Sequence, residues 1–146
     1  MKKNQPNHVL VNEYRAGQGI MPHTDGPLFH PIVTTITCGS HTVLEFYKQQ
    51  NSRSILNNDD ENCENLESIK LVSSLLLERR SLLVLQEDMY HHFLHGISER
   101  TEDMIDGTIK NLSFCQVKEG DLLTRSTRIS LTIRNAPKST KLKLFS

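Results

Sequence analysis

Residues 12–27 read NEYRAGQGIMPHTDGP and hold the most informative pattern in the chain. Side chains of an extended segment alternate between two faces, so His23 and Asp25 point the same way. One imidazole and one carboxylate on the same face can bind the same divalent ion. A solvent-exposed histidine beside an aspartate has the same spacing, so this pair alone does not separate a metal site from an ordinary loop.

A metal site would need a third ligand from elsewhere in the chain. Two histidines and one carboxylate leave three neighbouring coordination positions open, as in non-haem Fe(II) oxygenases, where oxygen and an organic co-substrate must both reach the metal. His95 is the strongest candidate, because its segment FLHGI (93–97) reads as a strand interrupted by Gly96, which permits close approach of a backbone or a ligand. The other histidines remain alternatives: His8, His30, His41, His91 and His92.

The segment TRISLTIR (127–134) alternates between two kinds of side chain. Arg128, Ser130, Thr132 and Arg134 share one face, and the other face is apolar. A buried polar face would suit a cavity that holds a dianion, because arginine forms bidentate hydrogen bonds to carboxylates. About 20 Å of strand separates the two arginines, so they either lean together or serve different ends of a site. The alternative is an amphipathic strand whose polar face points to solvent.

Short alternating or β-branched segments predict an all-β fold. We expect strands at 8–14, 93–97 and 127–134, and hairpins over 31–47 and 73–86. Many short strands joined by loops are typical of a sandwich, jelly roll or barrel.

Three other segments carry less structural information. Residues 48–70 are rich in Asn, Glu and Ser and predict a mobile surface loop. Residues 98–126 mix charges and glycines around one predicted strand at 112–117. We expect a barrel over 1–137 that is incomplete at its N-terminus, followed by a basic tail at 138–146.

Composition excludes several classes of protein. The chain has 146 residues, which fits one domain, and a net charge of zero from 17 basic and 17 acidic side chains. That balance does not support electrostatic binding of nucleic acid over the whole surface, although the C-terminal segment is locally basic. No apolar run is long enough for a membrane span, and no secretory signal is expected at the start. Three cysteines without a CxxC spacing fit a reducing, cytoplasmic or nuclear location.

The ordered motifs resemble the AlkB family of Fe(II)/2-oxoglutarate-dependent dioxygenases. They are NxY at 12–14, HxD at 23–25, a distal histidine at 95 and Arg-x5-Arg at 128–134, and with their flanks they run from about Pro6 to Pro137. The resemblance implies a double-stranded β-helix, which is a jelly-roll barrel. It also implies iron, 2-oxoglutarate and O₂ as cofactor and co-substrates.

The resemblance implies specific roles for eight residues. His23, Asp25 and His95 would be the iron ligands. Arg128 would pair with the distal carboxylate of 2-oxoglutarate, and Arg134 would lie by its metal-binding end or by the substrate pocket. The other members of the co-substrate site would be Asn12, Tyr14 and Ser130.

The implied reaction is oxidative demethylation of an alkylated DNA or RNA, or of another N-methyl substrate, with release of succinate, CO₂ and formaldehyde. A base in a duplex would have to flip out to reach the iron. We expect a monomer. Two alternatives remain: an inactive barrel that binds metal or nucleic acid, and a cupin-like zinc site that hydrolyses its substrate. The second gives the two strand arginines no evident task.

Overall fold

The computed structural model describes residues 4–50 and 68–137. Ten strands and one short helix follow each other along the chain: β1 His8–Tyr14, β2 Ile20–His23, β3 Ile32–Gly39, β4 Thr42–Gln50, β5 Ser68–Leu77, β6 Leu82–Gln86, α1 Glu87–His91, β7 Leu94–Ile97, β8 Glu102–Met104, β9 Leu122–Thr124 and β10 Arg128–Arg134. A 3₁₀ turn lies at Leu112–Phe114. Of the helices that the structure describes, none has the length and hydrophobicity that a membrane crossing requires.

Two four-stranded antiparallel sheets form the barrel. The first sheet has the order β1-β10-β3-β6 and the second sheet has the order β2-β7-β4-β5. An apolar core lies between them, formed by Leu44, Phe46, Leu77, Leu85 and Ile97. The predicted all-β, jelly-roll class is therefore confirmed.

Both predicted hairpins are wrong in their pairing. Strands do lie within 31–47, but β3 pairs with β10 and β6, whereas β4 pairs with β5 and β7. The turn after β3 passes from one sheet to the other, with Gly39 at φ +77. Its α-carbon lies so close to Thr127 that a Cβ would stand 2.5 Å from the Thr127 carbonyl oxygen. The link between β5 and β6 crosses between the sheets in the same way, so 73–86 is not a hairpin.

The segment 98–126 covers the outer face of the second sheet. It contains the β8–β9 hairpin, and the predicted strand at 112–117 is replaced by the 3₁₀ turn. Ile105 and Ile109 from this segment pack on Val43 and Leu76, which face away from the barrel interior. Packing on a sheet, not local strand pattern, therefore decides the structure here.

The ends of the predicted loop 48–70 belong to strands β4 and β5. Its central residues 51–67, and the predicted tail 138–146, lie outside the described residues.

Strand β10 presents its polar face to the barrel interior. Arg128, Ser130 and Thr132 are buried, and the partner strands β1 and β3 align with them on either side. On the opposite face of the first sheet, Val9 and Val11 of β1 point outward and are 54% and 61% exposed. The inner face of this sheet is therefore polar along β10.

Candidate active site

Two of the predicted ligands face each other across neighbouring strands. His23 at the end of β2 is directly opposite His95 of β7, and their ring centroids are 4.6 Å apart. Gly96 permits this approach, because a Cβ there would lie 3.0 Å from both the Ile20 carbonyl oxygen and the Pro22 nitrogen. The close approach expected of Gly96 is confirmed.

Asp25 completes the group from the loop that follows β2. Its side chain is 3% exposed, with Oδ2 3.8 Å from His95 Nε2. The other oxygen, Oδ1, forms an ion pair with Arg134 Nη2 at 2.5 Å. The structure therefore brings His23, Asp25 and His95 together at one end of the barrel.

These three side chains fit a divalent iron by their chemistry. Burial and the neighbouring His23 lower the pKa of His95 to about 4, so this imidazole is neutral at physiological pH. His23 Nδ1 lies 2.8 Å from the Met21 carbonyl oxygen, which fixes its proton on Nδ1 and leaves the Nε2 lone pair free. Across residues 4–50 and 68–137, no group of three histidine, cysteine or acidic side chains has the spacing that would hold a metal ion as it stands. The donor set is nevertheless the two-histidine, one-carboxylate type.

Arg128 lies at the opposite end of the same strand face. It is 4% exposed, its Nη2 donates to Thr37 Oγ1 at 3.1 Å, and its guanidinium lies over the Tyr14 ring at 5.5 Å. Its Nε is buried with no hydrogen-bond partner. Burial lowers the pKa of Arg128, but arginine stays protonated in proteins.

A buried cation of this kind needs an anion. Among the carboxylates that the structure describes, none forms an ion pair with Arg128. A buried charge without a partner is costly, and a buried unpaired Nε–H donor adds to that cost. The Arg128 end of the site therefore fits the carboxylate of a ligand.

One cavity joins the two ends. Its volume, traced by the centre of a water-sized sphere, is about 100 Å³. One water needs roughly 10–15 Å³ by the same measure, so the cavity has room for a small organic acid. All eight predicted site residues line it: Asn12, Tyr14, His23, Asp25, His95, Arg128, Ser130 and Arg134. Arg128 and Arg134 do not lean together but lie at different ends of this cavity.

The other histidines do not line this cavity. His41 Nε2 lies 3.1 Å from Asp103 Oδ2 in a buried ion-pair cluster with Arg125. His92 is exposed and faces Asp88 at 4.0 Å. His8 lies against the Phe29 ring, 5.6 Å between centroids.

Sequence reasoning missed three residues beside the site. Thr37 holds Arg128, and the Phe29 ring lies 4.7 Å from the Arg134 guanidinium. The Tyr90 hydroxyl donates to the Gly26 carbonyl oxygen at 2.7 Å, next to Asp25. Of the three, only Thr37 left a signal in the sequence, because the alternation of its strand places its side chain on one defined face. The other two contacts depend on how distant segments pack.

Comparison with known proteins agrees with this site chemistry. Residues 1–134 match the family described as the 2OG-Fe(II) oxygenase superfamily. The chain belongs to this superfamily. The enzyme class predicted from the sequence, a 2-oxoglutarate-dependent non-haem iron dioxygenase, is therefore confirmed at the level of the family.

Relatives place this oxygenase chain with the AlkB type, which confirms the predicted resemblance. It is 50% identical over 139 residues to the "Probable RNA/DNA demethylase ALKBH6" of zebrafish, Danio rerio, covering 95% of this chain and 57% of that protein. It is 28% identical to the "Uncharacterized protein L905" of Acanthamoeba polyphaga mimivirus, over 92% of this chain and 50% of that protein.

A third relative carries the name "tRNA (carboxymethyluridine(34)-5-O)-methyltransferase alkbh8" and comes from Xenopus tropicalis. Its identity is 29% over 90% of this chain, which corresponds to 19% of that protein. The chain thus spans 57% of the zebrafish relative, half of the mimivirus relative and about a fifth of the Xenopus relative.

Proposed function

We propose that this chain is an Fe(II)- and 2-oxoglutarate-dependent dioxygenase that removes a methyl group from an alkylated nucleic acid. One observation carries the proposal: a single cavity has two imidazoles and a carboxylate at one end and a buried, unpaired guanidinium at the other. When bound, iron and 2-oxoglutarate would supply O₂-driven oxidation of an N-methyl group, with release of succinate, CO₂ and formaldehyde.

The protein's own part is positioning and charge. His23, Asp25 and His95 would hold the metal, and the neutral state of His95 keeps its lone pair available. Arg134 forms an ion pair with Asp25 Oδ1 and leaves Oδ2 directed toward His95.

At the far end, Arg128 would bind the distal carboxylate of 2-oxoglutarate through its unpaired Nε. Ser130 follows on the same face of β10, and Asn12 is opposite it in register on β1. Asn12 Nδ2 lies 3.4 Å from the Tyr14 hydroxyl, so the two polar groups reach the cavity together. These groups would orient the co-substrate along the strand between Arg128 and the metal end.

The nucleic-acid substrate is supported by the zebrafish relative, which is named as a probable RNA/DNA demethylase. A target base would have to leave its stack to enter the cavity. The same proposal treats residues 1–137 as the barrel and 138–146 as a basic tail. Cytoplasmic or nuclear residence fits the free thiols of Cys38 and Cys115.

The test is turnover with methylated and unmethylated oligonucleotides, both DNA and RNA, in the presence of Fe(II), 2-oxoglutarate and O₂. We expect succinate from the wild type, and formaldehyde only with a methylated substrate. Asp25→Ala should abolish both products, whereas Asp88→Ala, at a side chain that is 87% exposed, should leave them unchanged. Metal binding without succinate would identify an inactive binding module instead. Turnover with zinc alone would identify a hydrolase.

A further inference from the structure

Asp25 is carried by a loop, whereas the other two predicted ligands lie on strands. The loop spans residues 24–31, between β2 and β3. Gly26, directly after Asp25, has φ +84, a backbone conformation that residues with a side chain rarely adopt. The chain changes direction there. The position of the carboxylate therefore depends on what holds this loop.

The end of the loop is fixed to the first sheet. The His30 amide donates to the Asn135 carbonyl oxygen at 2.8 Å, just beyond β10. Next to it, the Phe29 ring lies beneath the Arg134 guanidinium. These contacts hold residues 29–30, which lie four and five positions after Asp25.

Close to Asp25, the contact comes from α1. The Tyr90 hydroxyl donates to the Gly26 carbonyl oxygen at 2.7 Å, and the Phe29 carbonyl oxygen lies 3.4 Å from the same hydroxyl. Tyr90 is 8% exposed, so water competes little for this bond. Burial, and then the charge of Asp25, raise the pKa of the Tyr90 phenol, so it is a proton donor at neutral pH.

The fold brings α1 to this place by strand pairing. Ile32, the first residue of β3, is opposite Gln86, the last residue of β6. The loop that precedes β3 and the helix that follows β6 therefore start from the same end of the sheet. Glu87 has φ +55, which is rare for a residue with a side chain, and it marks the corner where the chain leaves the strand for the helix.

We propose that Tyr90 is a positioning residue, which holds the Asp25–Phe29 loop through its hydroxyl so that the carboxylate faces His23 and His95. Tyr90 touches neither substrate nor metal in this role, and it acts through the main chain of Gly26. The inference rests on the proposed function, because it concerns the metal affinity of the same site.

Tyr90→Phe tests the role, because it keeps the ring and removes only the hydroxyl. Tyr47→Phe is a matched control: its hydroxyl donates to Glu45 Oε2 at 2.8 Å, in a cluster with Ser98 and Arg100. Two measurements are made on the whole chain. One is the dissociation constant for Co²⁺, a metal that does not turn over with O₂. The other is backbone hydrogen exchange of residues 24–31 without metal.

We expect Tyr90→Phe to bind Co²⁺ about three- to tenfold more weakly, the range of one net hydrogen bond. Exchange in residues 24–31 should be faster in the same variant, and Tyr47→Phe should match the wild type in both measurements. Wild-type affinity and wild-type exchange in Tyr90→Phe would overturn the proposal. Equal losses in both variants would also overturn it, because they would reflect general destabilisation.

The two proposals fail in different ways. A wild-type chain that does not bind Co²⁺ would contradict the proposed function, and the exchange measurement would still decide whether Tyr90 holds the loop. If the wild type binds Co²⁺ and Tyr90→Phe matches it in both affinity and exchange, only the inference about Tyr90 is removed.

Discussion

Arg128 offers the sharpest prediction, because its charge is buried and no carboxylate among the described residues pairs with it. Replacing it with methionine removes the guanidinium and keeps much of its volume beside Tyr14. Bound 2-oxoglutarate would then have a buried carboxylate without its cation. Truncating one member of such a pair costs about 2–5 kcal/mol. That range corresponds to a loss of affinity between about 30-fold and several thousandfold.

The assay is an anaerobic titration with 2-oxoglutarate in the presence of Co²⁺. Arg128→Lys should lie between wild type and Arg128→Met, because lysine keeps the charge and loses the planar, bidentate donor set. Arg79→Ala, at an exposed position between β5 and β6, should bind as the wild type does. Equal affinities of the wild type and Arg128→Met would refute the role given to Arg128.

A stability measurement separates this role from a structural one. Since the guanidinium has only Thr37 and the Tyr14 ring as described partners, its burial is costly without a ligand. Ligand-free Arg128→Met should therefore unfold at a denaturant midpoint no lower than that of the wild type. A fall in the free energy of unfolding above about 1 kcal/mol, a typical cost for a point mutation, would mean that Arg128 is mainly a structural residue.

Three further predictions concern the metal end and the β8–β9 hairpin. Gly96→Ala places a Cβ 3.0 Å from the backbone of β2 and should separate His23 from His95, so we expect at least ~10-fold weaker Co²⁺ binding. Gly107→Ala, where the nearest atom is a flexible Glu119 oxygen at 3.7 Å, is the control and should bind normally. Burial would raise the pKa of Asp103, but hydrogen bonds from Arg125 and His41 lower it from 3.8 to about 2. Its stabilisation of about 2 kcal/mol should thus be present above pH 4 and be lost as the pH falls through about 2, and Asp103→Asn should lack this transition in acid unfolding curves. The pKa of His95 is lowered from 6.5 to about 4. Between pH 4 and pH 6.5 the unfolded state therefore binds more protons than the folded state. Metal-free protein should lose stability as the pH falls from 6.5 to 4, and a profile as steep in His95→Gln would contradict the assignment.

The alternation of side chains was sufficient to predict several strands and the polar face of β10. His8–Tyr14 and Arg128–Arg134 have the bounds or nearly the bounds expected, because period-two patterns are local. The choice between an inward and an outward polar face could not be made locally. It depends on which sheet face meets the core, and here the apolar Val9 and Val11 point outward.

Strand pairing could not be predicted from the same patterns. The turns after Gly39 and after Glu78 resemble hairpin turns, yet both carry the chain from one sheet to the other. The short helix with Tyr90 has only five residues and no helical periodicity that would reveal it. The contacts missed at the site, those of Thr37, Phe29 and Tyr90, all join segments far apart in the chain.

The central claim is that one cavity binds Fe(II) and 2-oxoglutarate together. The most direct test is the visible absorption of the protein in an anaerobic cuvette. We expect a charge-transfer band that needs both Fe(II) and 2-oxoglutarate and that is lost in His23→Ala. A wild-type spectrum that does not change when both are added, or a band that persists in His23→Ala, would contradict the account.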